Sequence, residues 1–133
     1  MKAISLWQPW ATLMANNFKT IETRGWKTNY RGDLLICSTK NGLSKKAFNE
    51  TVEHLGMKEL EYPLGQALCV VDLYDVIQTD MLSFYDYFSE EEFGDYSPGR
   101  FAWLTDSCRP IKPFQVVGQQ GLFNVDDELI EFL

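Results

Sequence analysis

Polar and apolar residues alternate along Lys-Ala-Ile-Ser-Leu-Trp, residues 2–7, and predict a strand. Pro9 then fits the first turn of a helix, where its missing N–H costs nothing. Trp10, Leu13 and Met14 recur at helical spacing and give that helix an apolar face. Asn16-Asn17 ends it, since asparagine tolerates the left-handed conformation at a helix C-terminus. Residues 19–24 read as a short extended segment, Tyr30-Arg31-Gly32-Asp33 as a turn, and Leu34-Leu35-Ile36-Cys37-Ser38 as a buried strand.

Ser44 is placed to cap a second helix, with Leu43 and Phe48 at the spacing of a hydrophobic staple. Phe48, Val52 and Leu55 line one face of that helix and Gly56 closes it. Beyond Pro63 and Gly65, Ala67 to Ile77 is the longest strand-like run. Residues 80–95 interleave aromatic rings with carboxylates and read as one short helix and a mobile loop. Phe101-Ala102-Trp103-Leu104 predicts a strand, which Pro110 and Pro113 then interrupt. Gln115 to Gly118 resumes extended structure, and Leu122 to Val125 predicts a last strand. Asp126 is placed to cap a short final helix with Leu129, Ile130, Phe132 and Leu133 as its apolar residues. No regular alternation of strand and helix points to a doubly wound sheet. The pattern predicts one α+β domain over residues 1–133, a mixed or antiparallel β-barrel with flanking helices.

Composition supports a folded chain: 133 residues, 45% of them hydrophobic and 14% aromatic, enclose a core without disulfides or metals. No apolar run approaches the roughly 20 residues needed to cross a bilayer, and no secretory signal opens the chain. Cys37, Cys69 and Cys108 lie far apart, without the spacing of a disulfide framework or a zinc site. Reduced thiols in a cytoplasmic protein are the simplest expectation, with no membrane partner.

The net charge of −7 argues against a phosphate polymer as partner, yet the charge is unevenly spread. Lys19, Arg24, Lys27, Arg31, Lys40, Lys45 and Lys46 meet only Glu22 and Asp33 within residues 19–46. Asp80, Asp86, Glu90, Glu91, Glu92 and Asp95 fall where there is no lysine or arginine. Such a domain can show one basic face while being acidic overall.

Lys19-Thr20-Ile21-Glu22-Thr23-Arg24 carries the densest chemistry. On an extended segment Glu22 and Arg24 share a face, and a bend after Asn17 brings Lys19 back to Glu22. As a surface ion pair this cluster is worth only about 0–1 kcal/mol. In a cleft, Lys19 and Arg24 hold a phosphate or carbonyl and Glu22 accepts from a base edge. Trp7 and Gln8 stand at a strand-to-helix turn, where an amide offers both donor and acceptor to a base. Trp10 reads as core. Tyr30 and Arg31 flank a glycine turn and are suited to stacking or clamping a phosphate, or simply to forming the hairpin.

Other chemistries lack their residues. His54, the one histidine, lies mid-helix as a surface residue, away from any nucleophile pattern. No His/Cys spacing predicts a metal, no glycine-rich loop a nucleotide fingerprint, and no cofactor is expected. If the chain is an enzyme, Lys19 desolvated in the cleft is the candidate base and Glu22 the candidate acid or water-orienting group.

Ile4-Ser5-Leu6-Trp7-Gln8-Pro9-Trp10-Ala11, the Lys19–Arg24 stretch, Tyr30-Arg31-Gly32, the strand around Trp103 and the closing Gly118-Gln119-Gln120-Gly121-Leu122-Phe123 together resemble the ASCH domain family. That family is named for homology to an activating signal cointegrator and lies within the PUA-like superfamily. The resemblance implies a β-barrel with flanking helices and a cleft holding the Lys, Glu and Arg. It also implies binding of RNA or nucleotides; some small members are ribonucleases. One small bacterial subgroup hydrolyses the acetyl amide of acetylated cytidine, using a Lys-Thr-Ile-Thr-Ile-Arg stretch in which the Lys and second Thr are catalytic. Its Lys matches Lys19 and its Arg matches Arg24, but its second Thr falls on Glu22, which removes the hydroxyl nucleophile.

The leading expectation is a cleft of Trp7, Gln8, Lys19, Glu22 and Arg24, with Tyr30 and Arg31 beside it, that binds RNA, a single strand, a nucleotide or a nucleoside. The alternative is a ribonuclease or nucleoside amidohydrolase acting through Lys19 and Glu22. A third reading is a protein–protein adaptor docking through residues 80–96.

Overall fold

The computed structural model describes residues 1–84 and 88–133. Strand β1 (Lys2–Leu6) leads into helix α1 (Trp10–Ala15), and β2 (Ile21–Arg24) and β3 (Gly32–Ser38) follow. Helix α2 (Lys45–His54) precedes the long strands β4 (Gln66–Gln78) and β5 (Phe101–Gln115), and β6 (Phe123–Asn124) comes last. The sheet order is β2-β5-β4-β3-β1-β6. Only β1 and β3 run parallel, with Ile4 opposite Ile36; the other neighbours are antiparallel.

β3 lies in the middle of this sheet, and its apolar run is explained by burial on both faces. Leu34 and Ile36 point to the side covered by α1, where Ile4, Leu6, Met14, Leu73 and Trp103 complete the core. Leu35 and Cys37 point to the other side and meet Ala3, Val70, Ile111 and Phe123.

The sheet corrects the expected barrel. Among the described residues it keeps two edges, because four-residue β2 pairs only with β5 and two-residue β6 only with β1. β5 also runs straight through Pro110 and Pro113. β2 covers only Phe101–Leu104; further on, the far edge of β5 meets just the C-terminal segment, where Lys112 N donates to Glu131 O at 2.9 Å and Pro110 accepts from Leu133 N at 3.2 Å through its carbonyl. A proline is tolerated at such an edge, where no ladder N–H is required of it.

Local signals behave as their chemistry dictates. Ser44 accepts from Ala47 N at 3.1 Å to cap α2, Gly56 follows that helix at φ 69°, and Asn17 follows α1 at φ 62°. Asp126 accepts from Glu128 N at 3.0 Å, but the turn it caps is a three-residue 3₁₀ turn, Asp127–Leu129, because Ile130 is already extended. In place of the one short helix and mobile loop expected within residues 80–95 there are 3₁₀ turns at Thr79–Phe84 and Phe88–Phe93. The part of that expectation falling on Tyr85, Asp86 and Tyr87 lies outside the described residues. No helix is long and apolar enough to cross a membrane among the described residues.

Candidate functional site: a cleft at the β2 edge

β2 carries Glu22 and Arg24 on one side of the strand, as the period of two requires. The bend at Asn17 returns the chain so that Phe18 N and Lys19 N both donate to Leu13 O, at 2.9 and 3.2 Å. Lys19 thereby meets its sequence neighbours: its Nζ lies 3.4 Å from Glu22 Oε1, and Arg24 Nη2 lies 3.1 Å from Glu22 Oε2. Glu22 thus bridges two cations. Arg24 Nη2 also donates to Ser5 O at 2.7 Å, tying β2 to the end of β1.

Lys19 is 1% exposed, and its ammonium is fully occupied. It donates to Ile21 O and, at 2.6 Å, to Phe93 O, and lies 5.9 Å from the centre of the Trp10 ring. Burial pulls its pKa below the ordinary lysine value, and Glu22 works against that pull. Lys19 therefore stands behind the cleft wall and acts on the cleft surface through Glu22.

The cleft itself has a volume of about 640 Å³. Its walls include Ser5, Trp7, Trp10, Glu22, Arg24, Trp26, Phe93, Asp95, Arg100, Gln119 and Gln120. Trp7 is 51% exposed, and Gly42 lets a neighbouring turn pass against its ring, since a Cβ there would lie 3.4 Å from Trp7 Cγ. Trp26 packs edge-to-face on buried Trp103, ring centres 4.8 Å apart, and accepts from Trp103 Nε1 through its carbonyl at 3.3 Å. Arg100 reaches Thr23 O at 3.2 Å and Asp95 O at 3.0 Å. The acids Glu22 and Asp95 are matched by Arg24 and Arg100, so the lining is balanced in charge.

Buried polar atoms usually find partners. Here Ser5 Oγ and Arg24 Nε have none, and both residues line the cleft. The 3₁₀ turn at Phe88–Phe93 closes one side. Glu90 accepts from Thr20 N at 2.6 Å, from Ile21 N at 3.0 Å and from the Thr20 hydroxyl. Tyr96, whose hydroxyl is buried without a partner, has its pKa raised by burial and by the carboxylates of Glu90, Glu22 and Glu91.

Of the residues expected from sequence, Trp7, Glu22 and Arg24 line the cleft and Lys19 supports it. Gln8 does not enter it. Its Oε1 accepts from Thr12 N at 3.0 Å, while its Nε2 donates to Thr12 Oγ1 at 2.7 Å and Pro63 O at 2.8 Å. Its amide is spent holding the first turn of α1. Tyr30 and Arg31 also stand apart. The Tyr30 hydroxyl donates to Asp33 O, and Arg31 turns to Thr28 O at 2.9 Å and to Asp75 at 3.5 Å. They hold the connection from β2 to β3, which are not neighbours in the sheet, so the expected hairpin does not form there. In the acidic–aromatic segment Leu82 is buried, Tyr96 packs beside it and Phe93 faces the cleft, so these side chains turn into the molecule.

Sequence reasoning did not assign Trp26, Phe93, Asp95 or Arg100 to the site. Trp26 stands two residues past Arg24, just beyond the end of β2, and that closeness in sequence was a signal available. Arg100 reaches the cleft from 77 residues beyond Thr23, and no local pattern announces that.

Comparison with known proteins agrees with this architecture. The crystal structure of ASCH from Zymomonas mobilis matches with a TM-score of 0.63 at 16% identity, covering 96% of this chain and 88% of that one. A mutant form of the same protein matches with a TM-score of 0.62 at 19% identity, covering 96% and 91%. Activating signal cointegrator 1 of Mus musculus is 28% identical over 137 residues, and its Homo sapiens counterpart 29%. Each alignment covers 95% of this chain but 22% of the longer relative. The ASCH domain family model matches residues 4–115, and the chain belongs to the ASCH domain family.

Proposed function

We propose that the cleft binds a nucleoside or a short single-stranded nucleotide segment of RNA type. The observation that carries this reading is the convergence of Glu22 and Arg24, braced by buried Lys19, with Trp7, Trp10 and Trp26 around one cleft. Indole faces supply a stacking surface that tolerates any base, worth about 1–3 kcal/mol per base. Glu22 accepts from an exocyclic amine or ring N–H, and the Arg24 guanidinium beside it donates to a carbonyl or ring nitrogen. A cleft of about 640 Å³ suits a ligand of that size.

Charge balance favours a short ligand over a long one. The acids and bases of the lining offset one another, and the chain carries −7 overall, so a polyanion gains little from this surface. Binding should therefore weaken only modestly between about 50 and 200 mM salt, as expected for one or two phosphate contacts.

An enzymatic reading rests on one further observation, the lowered pKa of Lys19 beside a carboxylate. A neutral amine is a competent base. Here the ammonium donates to two carbonyls and Glu22, which favours the charged form, so proton abstraction requires the Phe88–Phe93 turn to withdraw Phe93 O.

The test is a joint binding and turnover screen against short single-stranded RNA, single-stranded DNA and modified nucleosides, with wild type, Glu22→Gln and Lys19→Ala compared. Binding lost in Glu22→Gln without product in wild type supports recognition alone. Product formed by wild type and abolished in folded Glu22→Gln supports catalysis, with Lys19→Ala counted only where circular dichroism shows it folded. Neither binding nor product across the panel would overturn the reading.

A further inference from the structure

The three cysteines divide between the two faces of the sheet. Cys37 packs on the side away from α1, with Val70 and Ile111. Cys69 packs on the α1 side, and Cys108 lies against the same cluster. The β4–β5 register sets Cys69 opposite Pro110, two residues from Cys108 on the neighbouring strand. Between the Val70–Arg109 and Asp72–Asp106 pairs, β5 carries one residue more than β4, and Ser107 takes φ 53° there. This bulge bends β5 beside Cys108 and frees that residue from the regular ladder. Cys108 Sγ donates to Met14 O at 3.4 Å and Ala15 O at 3.5 Å, the last carbonyls of α1.

We propose that Cys69 and Cys108 are a peroxide-sensitive dithiol that closes to a reversible disulfide at the C-terminal end of α1. Cys108 attacks first. It is partly exposed, and the hydrogen bond from Cys69, helped by Arg109, draws its thiol down against the effect of burial. Cys69 is the resolving partner: its bond to Cys108 and its burial push its thiol up. Burial pushes the Cys37 thiol up to about 12, and its side chain faces the other way.

The Cys108 thiolate attacks one oxygen of hydrogen peroxide. An S–O bond forms, the O–O bond breaks, and hydroxide leaves as water with the proton that Cys108 released. Cys108 is oxidised to a sulfenic acid and the peroxide is reduced. The Cys69 sulfur then attacks the Cys108 sulfur. The S–S bond forms, the S–O bond breaks, and a second water leaves with the Cys69 proton. Two thiols and one peroxide become one disulfide and two waters. The change removes the Cys108 S–H from the carbonyls of Met14 and Ala15, next to the turn that sets Lys19.

The test exposes the reduced chain to graded hydrogen peroxide, blocks remaining thiols by alkylation, and maps the digest by mass spectrometry without reduction. The expected result is one cross-linked peptide joining Cys69 to Cys108, released by dithiothreitol, with Cys37 alkylated throughout. In Cys69→Ala, Cys108 should instead be trapped as sulfenic acid by a 1,3-dione and pass to sulfinic acid. In Cys108→Ala, Cys69 should remain reduced. A Cys37 link, a link between chains, or sulfinic acid at Cys108 in wild type without a cross-link would each overturn the proposal. The wild-type map decides the matter even where a variant fails to fold.

Discussion

Glu90 and Thr20 are 70 residues apart in sequence, yet the Glu90 carboxylate accepts both the backbone N–H of Thr20, at 2.6 Å, and its hydroxyl. Ile21 N adds a third donor at 3.0 Å. These are charge-assisted bonds that tie the N–H groups at the start of β2 to the Phe88–Phe93 turn. Hydrogen bonds to charged groups contribute about 1.5–3 kcal/mol, so Glu90→Ala should lower stability by about 2–3 kcal/mol. Glu90→Gln keeps an acceptor oxygen and should lose less. Urea unfolding would read this as a lower midpoint at unchanged slope. An unaltered midpoint in Glu90→Ala would show that the Phe88–Phe93 turn does not hold the β2 edge.

Lys19 predicts a pH dependence of definite sign. Burial holds its folded pKa below the ordinary 10.5 that it regains on unfolding. Between the folded pKa and 10.5 the unfolded chain binds more protons, so the Lys19 contribution to stability rises with pH through that window. Tyr30, Tyr62 and Tyr96 have folded pKa values raised above 10.0, and they oppose this by losing stability as pH climbs past 10.0. Subtracting the profile of Lys19→Met removes the tyrosines. The wild-type minus Lys19→Met stability difference should therefore increase as pH rises from the lowered folded pKa toward the ordinary lysine value. A flat or falling difference would contradict the assigned direction. Breaking a buried pair by removing one partner typically costs about 3–5 kcal/mol, so Lys19→Ala should be severely destabilised.

Trp7 and Gln8 are adjacent in sequence and opposite in role. Trp7 is half-exposed on the cleft wall, and Trp7→Ala should change stability by no more than about 1 kcal/mol. It should weaken ligand binding roughly tenfold or more, as loss of one stacking surface does. Gln8 is buried with its amide bonded to Thr12 and Pro63. Gln8→Ala should cost about 2 kcal/mol of stability and leave the affinity of the folded fraction unchanged. Thermal unfolding and titration calorimetry on the two variants separate the effects. Equal binding losses in both would place Gln8 back in the cleft.

Much of this molecule was legible because its signals are local. Ser44, Gly56 and Asn17 are stereochemical choices made within one turn, and each fell where capping rules put it. Strand period alone sets Lys19 on the face opposite Glu22, and it is the bend at Asn17 that returns it. What stayed hidden depends on distant partners. Whether Pro110 breaks a strand depends on where β2 stops, 86 or more residues earlier in the chain. Whether the sheet closes depends on the two short edge strands, which no pattern within β4 or β5 reports. Gln8 looked like a base reader because an amide beside a tryptophan at a turn reads so. That its partners are Thr12 and Pro63 is a fact of packing.

Gly118 and Ser5 make the most direct test of how the closing Gly-Gln-Gln-Gly motif shapes the cleft. A Cβ at Gly118 would sit 2.8 Å from Ser5 Oγ and 3.7 Å from Ser5 Cβ. The restriction is one of space, since Gly118 is not among the glycines with positive φ; Gly121 is, at 71°. Gly118→Ala should force the segment bearing Gln119 and Gln120 away from β1, at a cost of about 1–3 kcal/mol. Ser5→Ala removes the obstructing oxygen and leaves an ordinary 3.7 Å contact. It also removes a buried hydroxyl that has no partner, so alone it should be neutral or mildly stabilising. The double variant should then recover most of the stability lost in Gly118→Ala, a coupling of about 1 kcal/mol or more in a double-mutant cycle. Additive losses would mean that the glycine serves the backbone of the loop and that Ser5 Oγ does not define its approach.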